Sequence, residues 1–483
     1  MSAYHLAVDI GASSGRHIIG YVESGKMKLN EVYRFENGVS TKNGHLCWDI
    51  DGILKNVIDG IKECKNKDLV PETIGIDTWA VDFVLLDKDG NVIGDAVSYR
   101  DDRTDGIKDE LYENGILAFE ELYKKTGIQY QKFNTIYQLM ALKKEHPEYL
   151  EEAEDFLMIP DYLAYKLTGM KVNEYTNAST TALVDAKTRQ WDYELIEKIG
   201  LPKKIFKEIK EPGSKLSYFT KEIEEKVGFS AKVVLPATHD TGSAYIAVPA
   251  RDDKAVFLSS GTWSLMGIEN KEPVLSNASR DVNLTNEGGY DKTYRYLKNI
   301  MGLWMIQSVR KEIAKKTGYK PSFPELIKSA KKAENKVSVV LDADDDRFLA
   351  PKSMIEEVRK AAEEKGAPLP ITKEENENLP DGTGAVMAAI YSALAFDYKR
   401  TVSTLEMLTG KSFTSINVVG GGSKDMYLNE RIAKATGLPV FAGPVEGTAL
   451  GNLIVQFINA GDYKDLYEAR RAIKESFEII TIQ

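Results

Sequence analysis

The chain opens with Leu6-Ala-Val-Asp-Ile-Gly-Ala-Ser-Ser-Gly-Arg16, an apolar strand carrying one acid, Asp9, that breaks into a loop of glycine, alanine and serine. Such a loop offers backbone N–H groups and hydroxyls to phosphate oxygens. The following His17-Ile-Ile-Gly-Tyr-Val22 reads as a second strand. The unit is therefore a hairpin and not a loop-to-helix phosphate cradle, whose Gly-Lys-Ser/Thr ending is missing. An acid inside a buried strand needs a reason, and beside a triphosphate Asp9 has one: it can hold Mg2+ directly or through water. Taken alone, an ordinary hairpin turn explains the stretch as well.

At 483 residues the chain exceeds one ordinary core, and two large domains are expected. A composition of 43% apolar and 28% charged residues fits a soluble globular protein. The formal charge of −10 argues against a broad nucleic-acid or anionic-membrane surface, while leaving room for a local basic pocket. The start has no basic-then-apolar leader, and no apolar run is long enough to span a bilayer. Cys47 and Cys64 form neither a metal pattern nor a disulfide framework, so a reducing, cytoplasmic setting is expected. His5, His17, His45, His146 and His239 are too scattered for a histidine metal site.

Outward from the hairpin, Met27–Phe35 predicts a third strand, and the spacing of Ile50, Ile53, Leu54, Val57, Ile58 and Ile61 predicts an amphipathic helix. Thr73–Leu86 then reads as strand, break, strand, and this order points to an α/β domain with a mixed sheet. Asp77, Thr78, Trp79 and Asp82 interrupt its apolar run. They read either as strand ends facing solvent or as a pocket floor, with an indole wall and carboxylates accepting hydroxyls from a polyol. Residues 107–170 are predicted mainly helical, with turns at 133–135 and 159–161, and 173–181 as a loop.

Strand 232–236 delivers Ala237-Thr-His-Asp-Thr-Gly-Ser-Ala244 into a helix-compatible stretch. Asp240 there suits a general base, since a helix start positions the carboxylate and Gly242 permits close approach. A capping residue is the bland alternative, and it leaves His239 together with the second threonine unexplained. The polar connector 249–255 marks a boundary, giving domains 1–248 and 249–483. Beyond it, Val256–Ile268 repeats the opening design, strand, Ser/Gly/Thr turn, strand, so the two domains are predicted to be related. Further on, 283–289 reads as a polar loop and 297–307 as the first turns of a helix. Helices are predicted near 323–335, 352–365, 385–408 and 427–436, and 415–423 as a buried strand entering a triple-glycine turn.

Together these motifs suggest phosphoryl transfer from ATP, a chemistry of alignment and charge stabilisation. The chain resembles the FGGY family of carbohydrate kinases. The resemblance rests on residues 8–16, Gly-Ile-Asp-Thr-Trp-Ala-Val-Asp-Phe (75–83), Ile-Pro-Asp-Tyr (159–162) and Glu-Tyr-Thr-Asn-Ala (174–178). It continues through His-Asp-Thr (239–241), 258–267, Leu-Lys-Asn-Ile-Met-Gly-Leu-Trp (297–304), Asp-Asp-Arg-Phe (345–348) and Val-Val-Gly-Gly-Gly (418–422). It implies an α/β chain of two related domains of the actin/Hsp70-like (ribonuclease H-like) ATPase fold, with a cleft between them for ATP and Mg2+. It further implies ATP contacts from Ala12, Ser13, Ser14, Gly15, Arg16, Thr262, Gln307 and Gly421. Sugar contacts are implied at Ala80, His239, Asp240, Thr241 and Asn299, with Asp240 as proton acceptor and Asp9 as the metal residue. Within the family, Ala-Ser-Ser-Gly-Arg and Asn-Ile-Met-Gly-Leu-Trp implicate a ketose acceptor, L-rhamnulose phosphorylated at O1. Position 80 is often glycine in the family, and the Ala80 methyl opens the alternatives of L-fuculose or L-ribulose. A sugar-sensing or ATP-binding protein without catalysis is the alternative of another class.

Overall fold

Strand His5–Ile10 runs antiparallel to Ser14–Glu23, with Asp9 opposite Arg16 and Ile10 opposite Gly15. The turn between them closes through Gly11 N–H donating to the Ser14 carbonyl at 2.9 Å. The computed structural model describes residues 3–349 and 351–483, in two compact units. The first holds the chain up to Pro249 together with Glu269–Leu297 and Glu446–Phe477. The second holds Ala250–Ile268, Lys298–Val445 and Glu478–Gln483. The chain thus passes between the units more than once, through contacts between stretches distant in sequence.

In the first unit the strand order is Lys215–Tyr218, Lys232–Val234, Thr73–Thr78, His5–Ile10, Ser14–Glu23, Lys26–Glu36. The hairpin's first strand lies parallel to Thr73–Thr78, which lies parallel to Lys232–Val234, and the edge strand Lys215–Tyr218 is antiparallel. In the second unit Ala255–Ser260 and Trp263–Asn270 form an antiparallel hairpin. Its first strand lies parallel to Ser415–Val419, which lies parallel to Val440–Ala442, and the edge Ile480–Ile482 is antiparallel. Tyr294–Met301 neighbours the hairpin's second strand, where Lys26–Glu36 stands in the first unit. Order and strand sense repeat, so the weak sequence echo at 256–268 marks a duplicated ribonuclease H-like sheet.

Four stretches differ from their sequence expectation. Thr285–Gly288 is a buried strand and not a loop, and Tyr294–Met301 is its antiparallel partner, so the helix expected over 297–307 begins only at Trp304. Polar composition hid the first strand because Glu287 is matched by Arg295 directly across the pair. Pro160 opens helix Ile159–Thr168, where its missing N–H leaves no bond unmade. Residues 173–181 form a short strand and tight helical turns, all buried.

The first unit's core forms where Leu6, Val8 and Ile10 meet Ile53, Val57 and Ile61 of helix Ile50–Asn66. On the other face Ala7 and Ile18 meet helix Gly447–Ala460. That helix crosses Asp240–Ile246 so closely that a Cβ on Gly451 would lie 1.7 Å from the Ser243 carbonyl oxygen. Among the described residues no helix is long and apolar enough to cross a membrane.

Candidate active site

The parallel register of the first sheet makes Asp9 and Asp77 direct neighbours at the C-terminal ends of their strands. One strand further, Thr78 N–H donates to the Thr238 carbonyl at 2.9 Å and Thr78 bridges to His239. Asp240 follows as the first residue of its short helix. The sheet thus gathers acids from positions 9, 77 and 240 at the edge where open α/β sheets take ligands. Asp77 is fully buried and accepts from Asn452 Nδ2 at 2.6 Å, while its Oδ1 has no partner. Burial, then the charges of Asp9 and Asp240, push its carboxyl well above the usual range.

Asp240 Oδ1 accepts from Thr241 N–H at 2.5 Å and Thr241 Oγ1 at 3.2 Å. Desolvation in the recess and the neighbouring Asp9 carboxylate push its pKa up to about 7, although 32% of the side chain meets solvent. A carboxylate with a pKa near neutrality is matched to taking a proton from an alcohol at physiological pH. The helix cap is not what Asp240 supplies, since the cap residue is His239 and its side chain makes no capping bond. His239 is buried, and desolvation and then the charge of Arg295 hold its pKa well below the ordinary value, so the ring is neutral. Its backbone is fixed by Thr176 Oγ1, which accepts from His239 N–H at 3.2 Å. Glu174 in turn accepts from both the N–H and the hydroxyl of Thr238 at 3.0 and 2.8 Å.

Asp77, Thr78, Trp79 and Asp82 are all buried and do not face solvent, and Asp82 has a role other than the hydroxyl acceptor expected of it. Asp82 Oδ2 accepts from Trp48 Nε1 at 2.7 Å, Trp79 Nε1 at 2.9 Å and Tyr99 N–H at 3.1 Å. Its Oδ1 accepts from Gln138 Nε2 at 3.0 Å, and the residue is 1% exposed. No face remains for a sugar hydroxyl, so Asp82 holds two indoles in place, their rings 4.1 Å apart, and does not itself bind a polyol. Ala80 sits half-buried beside this cluster in sequence, and Val81 follows at φ +69°.

Of the expected phosphate-side residues, Ala12, Ser13, Ser14, Gly15 and Arg16 form the first hairpin's turn and second strand. Arg16 pairs with Asp9 at 2.5 Å and with Glu446, so the acid expected to hold a metal is ion-paired here. Thr262, Asn299, Gln307 and Gly421 all belong to the second unit. There the hairpin tip is fastened to the start of helix Trp304–Thr317 by Leu303 and Trp304 N–H groups donating to the Gly261 and Thr262 carbonyls at 3.1 and 3.0 Å. Gln307 lies one turn along that helix. In the triple glycine, Gly420 needs φ +85°, and a Cβ on Gly422 would meet Ser260 Oγ at 1.9 Å. At Gly421 a Cβ would meet nothing within 4 Å. Asn299 Oδ1 is buried without a partner, next in sequence to Lys298, which pairs with Asp344 at 2.6 Å.

Residues 4–247 match the FGGY family of carbohydrate kinases, N-terminal domain, and residues 256–460 the C-terminal domain of the same family. The chain belongs to the FGGY family of carbohydrate kinases. It is 47% identical to a protein named rhamnulokinase from Oceanobacillus iheyensis, covering 100% of this chain and 98% of that one. It is 41% identical to rhamnulokinase from Bacillus subtilis, covering 98% and 94%. Among solved structures, ligand-bound xylulose kinase from Lactobacillus acidophilus superposes with a TM-score of 0.79 at 18% identity, covering 99% and 93%. Glycerol kinase from Plasmodium falciparum with ADP gives 0.76 at 17%, covering 100% and 94%. At that identity these two speak for the fold alone.

In this FGGY kinase several residues that pack around the candidate site lie outside the motifs legible in the sequence: Arg295, Glu287, Asn452 and Glu446. Two carried a local signal. Asn452 and Gln456 are buried polar residues four apart on a largely apolar helix, where they bind Asp77 and the Leu6 carbonyl. Arg295 is a cation between Tyr294 and Tyr296 in a buried strand.

Proposed function

We propose that the chain transfers the γ-phosphoryl group of ATP to O1 of L-rhamnulose in L-rhamnose catabolism, with Asp240 as the proton acceptor. The observation that carries the reading is the Asp240 carboxylate, poised at about 7 beside neutral His239 and the Asp9–Arg16 pair. The sugar hydroxyl gives its proton to Asp240 as its oxygen bonds to the γ-phosphorus and the bond to the ADP oxygen breaks. Transfer of this kind needs alignment more than covalent help. Ala80, His239, Thr241 and Asn299 are assigned to the sugar, and Ala12–Arg16, Thr262, Gln307 and Gly421 to the nucleotide. Arg16 moves from Asp9 and Glu446 toward phosphate in this reading.

The residues fit Mg2+. Asp9 and Asp77 stand side by side, Asp77 Oδ1 is a buried acceptor with no partner, and the repulsion raising Asp77 and Asp240 is what a divalent cation relieves. Among the described residues no cluster of three or more acids, histidines or cysteines makes a metal cage. The fit is thus to an ion held through Asp9, with water and phosphate oxygens completing its shell. Bound there, Mg2+ supplies charge neutralisation to the phosphates. A reducing cytoplasmic setting suits the two buried free thiols, Cys47 and Cys64.

The test is coupled ADP release with Mg2+-ATP against L-rhamnulose, L-fuculose, L-ribulose and D-xylulose. Strong preference for L-rhamnulose is expected. Preference for another ketose would leave the kinase chemistry standing and move specificity to Ala80 and Asn299, and release without any sugar dependence would overturn the reading.

A further inference from the structure

His239 stands between Asp240 and a buried ion pair, and that pair decides where the imidazole proton sits. Arg295 Nη2 lies 3.0 Å from His239 Nδ1, and Glu287 Oε2 lies 3.4 Å from the same nitrogen. A guanidinium only donates, so Nδ1 must accept and the proton must be on Nε2. The Glu287 charge is matched by Arg295, whose Nη1 lies 3.0 Å from the same Oε2. On the other side of the ring, Nε2 faces Asp240 Oδ1 at 3.5 Å.

We infer that Arg295 is a positioning residue: it holds His239 as the neutral Nε2–H tautomer, so that the ring presents a donor to the Asp240 carboxylate and to the reacting sugar oxygen. The inference rests on the reading of Asp240 as proton acceptor. In the opposite tautomer the Nε2 lone pair would confront the Asp240 carboxylate, two acceptors facing one another in a recess that already holds too much negative charge. Arg295 can enforce the choice because it cannot move. It is 0% exposed, its Nε donates to the Gly288 carbonyl at 2.7 Å, and its strand sets it directly opposite Glu287. Nε and Nη2 are hydrogen-bonded and Nη1 lies 3.0 Å from Glu287 in charge contact, a planar arrangement that a lysine could not reproduce. The low pKa of His239 agrees, since burial and the Arg295 charge keep the ring from taking a second proton. The charged groups around the ring are Asp240, Glu287 and Arg295, with Glu174 behind Thr238.

The experiment is 15N NMR of the full chain labelled in its five histidine rings, with His239→Asn to assign the signal. The expected ring is protonated at Nε2 and bare at Nδ1. Arg295→Met frees Nδ1 to donate to Glu287, so the tautomer reverses and kcat falls by about 10²-fold, while KM for ATP is unchanged. Glu287→Gln leaves the Arg295 donation in place and keeps both tautomer and kcat within a few fold. A purely structural ion pair behaves differently: both single variants suffer alike and Arg295→Met/Glu287→Gln restores activity. That pattern, or an Nδ1–H ring in the active wild-type chain, overturns the inference, and the wild-type spectrum decides even if Arg295→Met fails to fold. A folded chain without sugar-dependent turnover overturns the kinase reading itself, and with it the catalytic meaning of the tautomer.

Discussion

Replacing Asp240 with Asn removes a charge and keeps the shape, and the two consequences have opposite signs. The amide oxygen still accepts from Thr241 N–H and Oγ1, at 2.5 and 3.2 Å in the wild type, so the loop holds. Turnover loses its proton acceptor and is expected to fall by about 10²–10⁴-fold. Stability moves the other way. The folded carboxyl titrates at about 7 against an ordinary 3.8, so between those values the folded chain binds more protons than the unfolded one. Stability therefore declines as pH rises from ~4 to ~7, and the whole penalty is present above that window. The interval corresponds to ~4 kcal/mol. Because 32% of the side chain meets solvent, screening reduces this to roughly 1–2 kcal/mol. The ligand-free variant is thus expected to be more stable than wild type by ~1–2 kcal/mol at pH 8, with the gain well under ~1 kcal/mol at pH 5. Urea unfolding at both pH values, with coupled ADP release on the same preparations, checks both halves. Near-normal turnover would refute Asp240 as base, and an equal stability difference at the two pH values would refute its raised pKa.

The same carboxylate fixes a pH profile: kcat/KM for the sugar is expected to fall as pH drops through about 7, since the protonated Asp240 cannot accept, and a flat profile down to pH 5 would contradict it. Asp82→Asn turns an amide NH2 toward donors from Trp48, Trp79, Tyr99 and Gln138. A stability loss of roughly 2–4 kcal/mol in urea and a raised KM for the sugar are expected, with KM for ATP little changed. Gly451→Ala places a methyl 1.7 Å from the Ser243 carbonyl in the helix that begins at Asp240. It is expected to cost about 3 kcal/mol or more and to lower kcat by displacing that helix, whereas wild-type melting behaviour would show that the two helices separate freely.

What the sequence reveals here follows from whether a signal is local. Both hairpins are legible because strand, small-residue turn and strand follow one another directly in the chain, and Asp9 stands out as an acid in an apolar run. Asp240 stands out as an acid flanked by His239 and Thr241 where a strand gives way to a helix. The Arg295–Glu287 pair is hidden because it joins neighbouring strands that composition alone does not reveal, and its contact to His239 crosses 56 positions. Asn452 reaches Asp77 across 375 positions. Asp82 illustrates the converse error. Its acidity is visible and suggests a hydroxyl acceptor, but its four donors come from positions 48, 79, 99 and 138, and only their convergence shows that no acceptor face is left.

The duplication itself separates geometry from chemistry. Gly11 and Gly261 begin equivalent turns, so Asp9 corresponds to Ser259, and its parallel neighbour Asp77 corresponds to Val419. The two sheets share order and strand sense, yet the acid pair exists in one of them. Where the pair stands, Asp9 adds to burial in raising the cost of ionising Asp77, and Asp240 adds a further charge. The second unit carries a serine and a valine at those places, with exposed Thr262 and Gly421 at its turns. A fold needs neither pattern, since the Ser–Val version builds the same sheet. The carboxylates therefore stand against stability, and on the proposed function the unit that bears them is the one in which a proton is taken and phosphate is met. The other offers neutral backbone and hydroxyl donors, which is what the proposed nucleotide assignment of Thr262 and Gly421 requires.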